Sequence, residues 1–298
     1  MSDQKKRDLV PRDDIEGFGS FFRYHGWLSP GVRLFRKITF RGKALWVSTA
    51  FLVPLVLMLV FLRTAAQDLI GSTQSELSGM RYADAISELM VAAQSRRRAA
   101  TLSAPDLEEM QSKATAAFKK LADVEKELGT ELGTAKAFAG LRDSEAALER
   151  SPKADNQDAT FALHTEFIAK LLALQADVAD SSQLSLDPDL DTYHLMLVSV
   201  SRGPAQMENE ARLRGLGSLA LSTHELTPER RDRIHELLGV EPMLDAEIER
   251  SYRVGIESVP EVAKTLDMAG LDAARDKFLK AVHEQLLGAE LQRSNARR

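Results

Sequence analysis

The stretch from Ala44 to Leu62, ALWVSTAFLVPLVLMLVFL, contains nineteen residues and no charged side chain. At the rise of an α-helix it spans roughly 28 Å, which is close to the thickness of the hydrocarbon core of a bilayer. Ser48, Thr49 and Pro54 are its only polar or helix-weakening members. A buried core helix is the alternative, but the length and the lack of charge favour a transmembrane helix.

Charge is distributed unevenly around this segment. Residues 1–43 carry ten Lys or Arg and five Asp or Glu, whereas the remaining 255 residues carry 29 and 39. The positive-inside rule therefore predicts a cytoplasmic lead over 1–43, a transmembrane helix over 44–62 and an exported domain over 64–298. TAAQ at 64–67 has the small residues of a cleavage site, but the long basic lead and Pro54 favour an uncleaved anchor.

The lead itself mixes aromatic and basic residues in GFGSFFRYHGWLSPGVRLFRK, residues 17–37. This mixture favours contact with the anionic inner leaflet of the membrane. Nucleic-acid binding is the weaker interpretation, because the net charge of the whole chain is −5. We therefore expect a membrane partner and no nucleic-acid partner.

Apolar residues downstream recur at steps of three and four, the spacing of one face of an α-helix. In the first exported helix this stripe slips once, near Asp84; its members are Ile70, Thr73, Leu77, Met80, Ile86, Met90 and Ala93. The next stripe keeps the spacing of a bundle seam throughout; its members are Leu107, Met110, Ala114, Ala117, Leu121, Val124 and Leu128. No stretch alternates with period two for long, so the pattern predicts an all-α fold with about six helices in 64–298.

The acidic stretch SLDPDLDTYHLM, residues 185–196, could be a metal loop, an acid cluster or a helix start. A calcium loop of the EF-hand type needs a central glycine and a later glutamate at fixed spacing, and both are absent here. Asp187 precedes Pro188 and is therefore expected to cap a helix that begins at the proline. Thr227 before Pro228 predicts a second helix start of the same kind.

Catalytic and metal-binding patterns are missing from the sequence. The chain has no cysteine, and its six histidines are scattered singly, so we expect no zinc site and no disulfide. His164 and His194 fall near core stripes and are expected to be buried and hydrogen-bonded. There is no serine elbow, P-loop or dinucleotide-binding glycine pattern. We expect neither an enzyme nor a cofactor.

Three stretches resemble a known family. Residues 28–62 resemble the amino-terminal lead and first membrane helix of bacterial methyl-accepting chemotaxis proteins, and some membrane-bound diguanylate cyclases begin similarly. Residues 81–100 and 185–221 are similar to segments of the all-helical periplasmic sensor of the same receptors. The resemblance implies an inner-membrane protein whose periplasmic part is an elongated helical bundle, in some subfamilies two stacked four-helix modules built from six helices.

The function implied by this resemblance is the ligand-sensing transmembrane part of a chemoreceptor-like signal-transduction protein, working as a homodimer. Up to Arg298 the sequence contains neither a second membrane segment nor a signalling output domain. A truncated receptor and a stand-alone, membrane-anchored periplasmic interaction protein therefore both remain open. The family's usual His-Arg-Gly near the end of the first sensor helix is replaced here by Ser95-Arg96-Arg97-Arg98.

Arginines on bundle-facing stripes are the candidate ligand-binding residues, because buried charges are costly unless they are paired. Arg97 and Arg214 both fall on the core side of their helices. Two guanidinium groups facing one interior would suit a small organic or inorganic anion. Arg96, Arg202 and Arg212 could assist, and Tyr193 could donate its hydroxyl. The alternative is ordinary ion pairing, for instance of Arg97 with Asp84.

Overall fold

The computed structural model describes residues 31, 36–186 and 190–288. Every regular element in these ranges is helical and none is a strand, which confirms the all-α prediction. The α-helices are α1 (Phe40–Leu102), α2 (Leu107–Leu132), α3 (Ala135–Arg150), α4 (Gln157–Ser181), α5 (Leu190–Met196), α6 (Gly203–Thr223), α7 (Pro228–Ser258), α8 (Val262–Thr265) and α9 (Met268–Ala281). A 3₁₀ turn at Leu184–Leu186 and π-helical segments at Leu197–Arg202 and Val282–Leu287 complete the chain.

The chain divides into two units, one ending at Leu69 and the other beginning at Ile70. In the first unit, α1 contains one apolar window that is long enough to cross a membrane, and none of this window is buried in protein. Phe51, Leu55 and Phe61 are each more than half exposed. By length and composition this segment is compatible with membrane anchoring.

The second unit has its largest apolar core among α1, α2, α3 and α4. The four helices contribute interdigitating side chains at helical spacing, and most of them are completely removed from solvent. The members that are 0% exposed are Tyr82, Ile86, Leu89, Met90, Leu121, Leu141, Ile168, Leu171, Leu174 and Val178.

A second apolar core joins α4 and α6 to α7 and the π-helical segment after α9. Its buried members are Phe161, Leu213, Leu216, Ala220, Ile234, Leu237, Val282 and Leu286. A small third cluster lies around the 3₁₀ turn and comprises Ala83, Ala179, Leu184, Met196 and Val200. Four helical elements meet in each of the two larger cores.

The apolar stripe predicted for the first exported helix is divided by the structure. Ile70, Leu77 and Met80 are 66%, 58% and 51% exposed, while Ile86 and Met90 are buried. The break in the three-and-four spacing near Asp84 falls where the stripe passes from exposed to buried. The core-facing side of α1 contains Tyr82 and Ile86, whereas Leu77 and Met80 lie on the opposite side. The stripe is therefore an exposed apolar surface in its first half and core in its second half.

Helix ends follow local sequence signals. Gly133 ends α2 in the left-handed region at φ 66°, and its backbone N–H bonds to the carbonyl of Gly129. Thr227 caps α7 by accepting a hydrogen bond from the backbone of Arg230, as expected from the proline that follows it. The predicted cap at Asp187 lies outside the described residues, and α5 begins at Leu190.

Candidate functional site

Two adjacent arginines of α1 are completely buried. Arg96 and Arg97 are 0% and 1% exposed. Arg96 forms a bidentate ion pair with Glu145 of α3, with N–O distances of 2.7 and 2.8 Å. Its guanidinium carbon also lies 5.1 Å from the ring centroid of Phe167. The carboxylate of Glu145 neutralises this charge, and the bidentate pair and the stacked ring hold the guanidinium in place.

Arg97 is held by a different set of groups. Its two terminal nitrogens donate to the carboxylate oxygens of Glu208 on α6 at 2.5 and 3.1 Å. One of them also donates to the hydroxyl of Thr165 at 3.1 Å. The ring of Phe161 lies 4.9 Å from its guanidinium carbon. Gln94 donates to the same Glu208 carboxylate at 3.0 Å. The ion-pairing alternative is therefore observed for Arg97, with Glu208 as its partner in place of Asp84.

A second buried polar network lies between α6 and α7. Glu241 is 3% exposed and accepts hydrogen bonds from Gln206 at 3.1 Å and Asn209 at 2.5 Å. Glu210 lies beside it; burial, followed by the charge of Glu241, raises the pKa of Glu210 to about 7. The negative charge of Glu241 therefore favours the protonated form of Glu210.

Arg275 of α9 supplies a positive charge close to Glu210. It is 9% exposed and forms ion pairs with Asp245 at 2.6 Å and Asp272 at 2.9 Å. Its positive charge favours the ionised form of Glu210, but burial and Glu241 act more strongly in the opposite direction. Glu210 therefore titrates close to neutral pH.

Arg214 and Glu210 line one surface cleft of about 360 Å³. The remaining lining residues are Val91, Gln94, Ser95, Met207, Ala211 and Phe278. Arg214 itself is exposed, which corrects the expectation that it faces the bundle interior together with Arg97. Within the described ranges no carboxylate lies at ion-pairing distance from it. Desolvation, then the charges of Arg97 and Arg98, lower the pKa of Arg214, whereas the charges of Glu210 and Glu208 raise it.

The other predicted residues are not gathered at this cleft. Arg212 is half-buried on α6, where burial lowers the pKa of its guanidinium. Arg202 forms an ion pair with Glu247 at 2.8 Å. Tyr193 and Arg202 line a separate cavity near the π-helical segment Leu197–Arg202. Of the predicted arginines, Arg97 lies close enough to Arg214 for its charge to lower the pKa of Arg214. Arg96 instead pairs with Glu145 on α3.

The histidine predictions have different outcomes. His164 is 1% exposed, and its Nε2 lies 2.9 Å from the carbonyl oxygen of Pro152, so the expectation of a buried, hydrogen-bonded ring is confirmed. His194 is only half-buried, and its Nδ1 has no hydrogen-bonding partner in the described part of the chain. No group of three or more His, Asp or Glu in that part is arranged to hold a metal ion.

Comparison with protein-family models, with curated proteins and with solved structures found no match to this chain. The similarity to chemoreceptor sensors therefore remains a prediction from the sequence.

Sequence reasoning missed the acidic partners. Glu145, Glu208 and Glu241 are buried on core-facing positions of their helices. The signal was present, because each of these glutamates falls where the helical stripe requires an apolar residue. The pairing itself could not be predicted, since Glu208 lies 111 residues from Arg97.

Proposed function

We propose that the chain is the ligand-sensing transmembrane part of a chemoreceptor-like bacterial signal-transduction protein, with residues 1–43 in the cytoplasm and 64–298 in the periplasm. The observation that carries the proposal is the single helix Phe40–Leu102, which includes both the apolar segment and the buried Arg96 and Arg97. A continuous helix is stiff, and a ligand that changes its packing can shift a two-state equilibrium along it. The two four-element cores support the two-module bundle that the resemblance implies.

A small organic or inorganic anion is the proposed ligand, and Arg214 its first contact. Arg97 is neutralised by Glu208, so the positive group available to a ligand at the cleft is Arg214. Val91, Met207 and Phe278 offer an apolar wall beside it. An anion bound there would pair with the guanidinium of Arg214, which has no carboxylate at ion-pairing distance among the described residues.

The binding test uses the full chain in lipid nanodiscs, with acetate, malonate, succinate and inorganic phosphate as probes in calorimetry and thermal-shift assays. At least one probe is expected to bind, and Arg214→Gln should weaken its binding by about tenfold or more. Arg253→Gln provides the matched control, because Arg253 is an exposed helical arginine outside the cleft. If none of the four anions binds, or if Arg214→Gln binds as well as the wild type, the anion proposal fails.

The exposed half of the α1 stripe supports a homodimer. Ile70, Leu77 and Met80 are spaced by seven and three residues along one exposed face, which is the spacing of a coiled-coil seam. Exposed apolar stripes of this kind are typical of protein–protein contact. We propose that two copies pair along this face, as the homodimeric receptor requires.

Disulfide crosslinking distinguishes the receptor from the stand-alone interaction protein. The chain has no native cysteine, so a single introduced cysteine reports on one position only. Leu77→Cys and Met80→Cys should form covalent dimers in membranes under mild oxidation. Asp68→Cys, an exposed position on the opposite side of the same helix from Leu77, should not. A chain that stays monomeric at all three positions would favour the interaction protein, with the stripe available to a different partner.

A further inference from the structure

A second cavity, of about 340 Å³, lies between α4, the 3₁₀ turn, α5 and the π-helical segment that follows it. It is separate from the cleft at Arg214, since the two share no lining residue. Its apolar walls come from Leu172, Ala176, Ala179, Met196, Leu197, Val200 and Ala205, and its polar lining from Gln175, Asp180, Ser185, Tyr193, Ser201 and Arg202.

Gln175 is the unusual member of this lining. Its side chain is 1% exposed, yet neither Oε1 nor Nε2 finds a hydrogen-bonding partner among the residues that the structure describes. Burying a carboxamide without partners is unfavourable, and nearly all buried polar groups in proteins are satisfied. Both the donor and the acceptor of this buried amide thus lack a partner, in a residue that contributes to the lining of the cavity.

The backbone facing Gln175 is also irregular. Leu197–Arg202 is a π-helical segment, and such segments are often found at functional sites. The N–H of Gly203 bonds to the carbonyl of Val198, and a Cβ at Gly203 would lie 2.2 Å from that oxygen. Glycine at this position therefore permits the widened turn that forms one wall of the cavity.

The charges around the cavity argue against an anion. Arg202 is already paired with Glu247 at 2.8 Å, and Asp180 adds a negative charge at the rim. A carboxylate would satisfy Nε2 of Gln175 but would leave its Oε1 without a donor. A carboxamide satisfies both, because its carbonyl accepts from Nε2 and its N–H donates to Oε1.

We propose that this cavity binds a small, uncharged carboxamide carried on an apolar body. The paired hydrogen bonds to Gln175 fix the amide, and Leu172, Met196 and Val200 contact the apolar part. Tyr193 is placed on the lining to contact the ligand as well. The site does not depend on the signalling role or on the anion cleft.

The test titrates benzamide and benzoate into the full chain in lipid nanodiscs, using ligand-observed NMR and calorimetry. The two probes have the same size and ring and differ in the amide. Benzamide should bind at least about tenfold more tightly than benzoate, because only the amide satisfies both groups of Gln175. Gln175→Leu should abolish this preference and weaken benzamide binding by about tenfold or more.

Two controls keep the result interpretable. Gln175→Leu removes an unsatisfied buried amide, so its melting temperature should equal or exceed that of the wild type, and lost binding would not reflect unfolding. Arg253→Gln should bind benzamide as the wild type does, since Arg253 is exposed and lines neither cavity. The proposal is overturned if the wild type binds no benzamide, if benzoate binds equally well, or if Gln175→Leu retains the preference.

Discussion

Arg96 and Arg97 are neighbours in the sequence, and their side chains end in ion pairs on two different helices. Successive residues of an α-helix are rotated by about 100°, so adjacent buried side chains must point to different partners. Arg96 reaches Glu145 on α3, and Arg97 reaches Glu208 on α6. One turn of α1 thereby joins both halves of the bundle through charge-assisted hydrogen bonds.

Removing one partner of a buried pair leaves an uncompensated charge. We expect Arg97→Met to lower the free energy of unfolding by about 3–5 kcal/mol, as measured by urea denaturation. Adding Glu208→Gln should recover about 2 kcal/mol or more, because the neutral amide keeps its contact with Gln94 and carries no buried charge.

The matched control for this pair is an exposed one. Arg81 and Glu127 are 56% and 57% exposed and also form an ion pair, at 2.9 Å. Arg81→Met should leave stability nearly unchanged, because water screens both charges. Equal losses for Arg81→Met and Arg97→Met would show that burial does not determine the strength of these pairs.

Gly215 is required by the packing around Arg97. A Cβ at this position would lie 2.6 Å from Cε2 of Phe161, the ring that stacks against the Arg97 guanidinium. Gly215→Ala should destabilise the fold by about 1–3 kcal/mol through overpacking. Gly140→Ala has open space in the middle of α3 and should instead stabilise it by about 0.5–1 kcal/mol. Denaturation of both variants should therefore show shifts of opposite sign.

Glu210 makes stability depend on pH in the neutral range. Its pKa is raised from 4.5 to about 7 in the folded state, so the native chain keeps a proton that the unfolded chain releases. This contribution is complete below pH 4.5 and is lost as the pH rises through 7. Glu210→Gln mimics the protonated form and should be more stable than the wild type above pH 7, by about 1–2 kcal/mol after allowance for solvent screening.

The measurement compares melting temperatures of the two proteins from pH 4.5 to pH 8. The curves should converge at the acid end and separate as the pH rises. A constant difference across the range would show that Glu210 does not titrate there.

His164 acts in the opposite direction. Burial lowers its pKa from 6.5 to about 4, aided by the charges of Arg96 and Arg97. Its contribution is present above pH 6.5 and is lost as the pH falls towards 4, because the unfolded chain then binds the proton more tightly. The loss should reach about 3 kcal/mol, and His164→Gln should remove most of this acid dependence. Carbon-13 NMR of the imidazole provides the direct check, and a ring that titrates near pH 6.5 would contradict the prediction.

Helix formation was readable from local patterns. The uncharged run at 44–62, the stripes at steps of three and four and the Thr227–Pro228 pair each predicted a helix or a helix start in their own segment. The candidate site was less accessible, because a stripe reports which side of a helix is apolar and not which helix it meets. Ile70 and Ile86 have the same pattern in the sequence, yet the first is exposed and the second is buried.

The sequence by itself determined the all-α fold, the apolar helix and the burial of Arg97, since these follow from composition and spacing along one chain segment. Only the tertiary structure decided that Arg97 meets Glu208, that Arg214 faces a cleft and that Gln175 lacks a partner. The physical reason is the distance along the sequence over which each effect acts. Helix periodicity is set by residues three and four positions apart, whereas the partner of a buried charge or amide is any distant group that packing brings within about 3 Å.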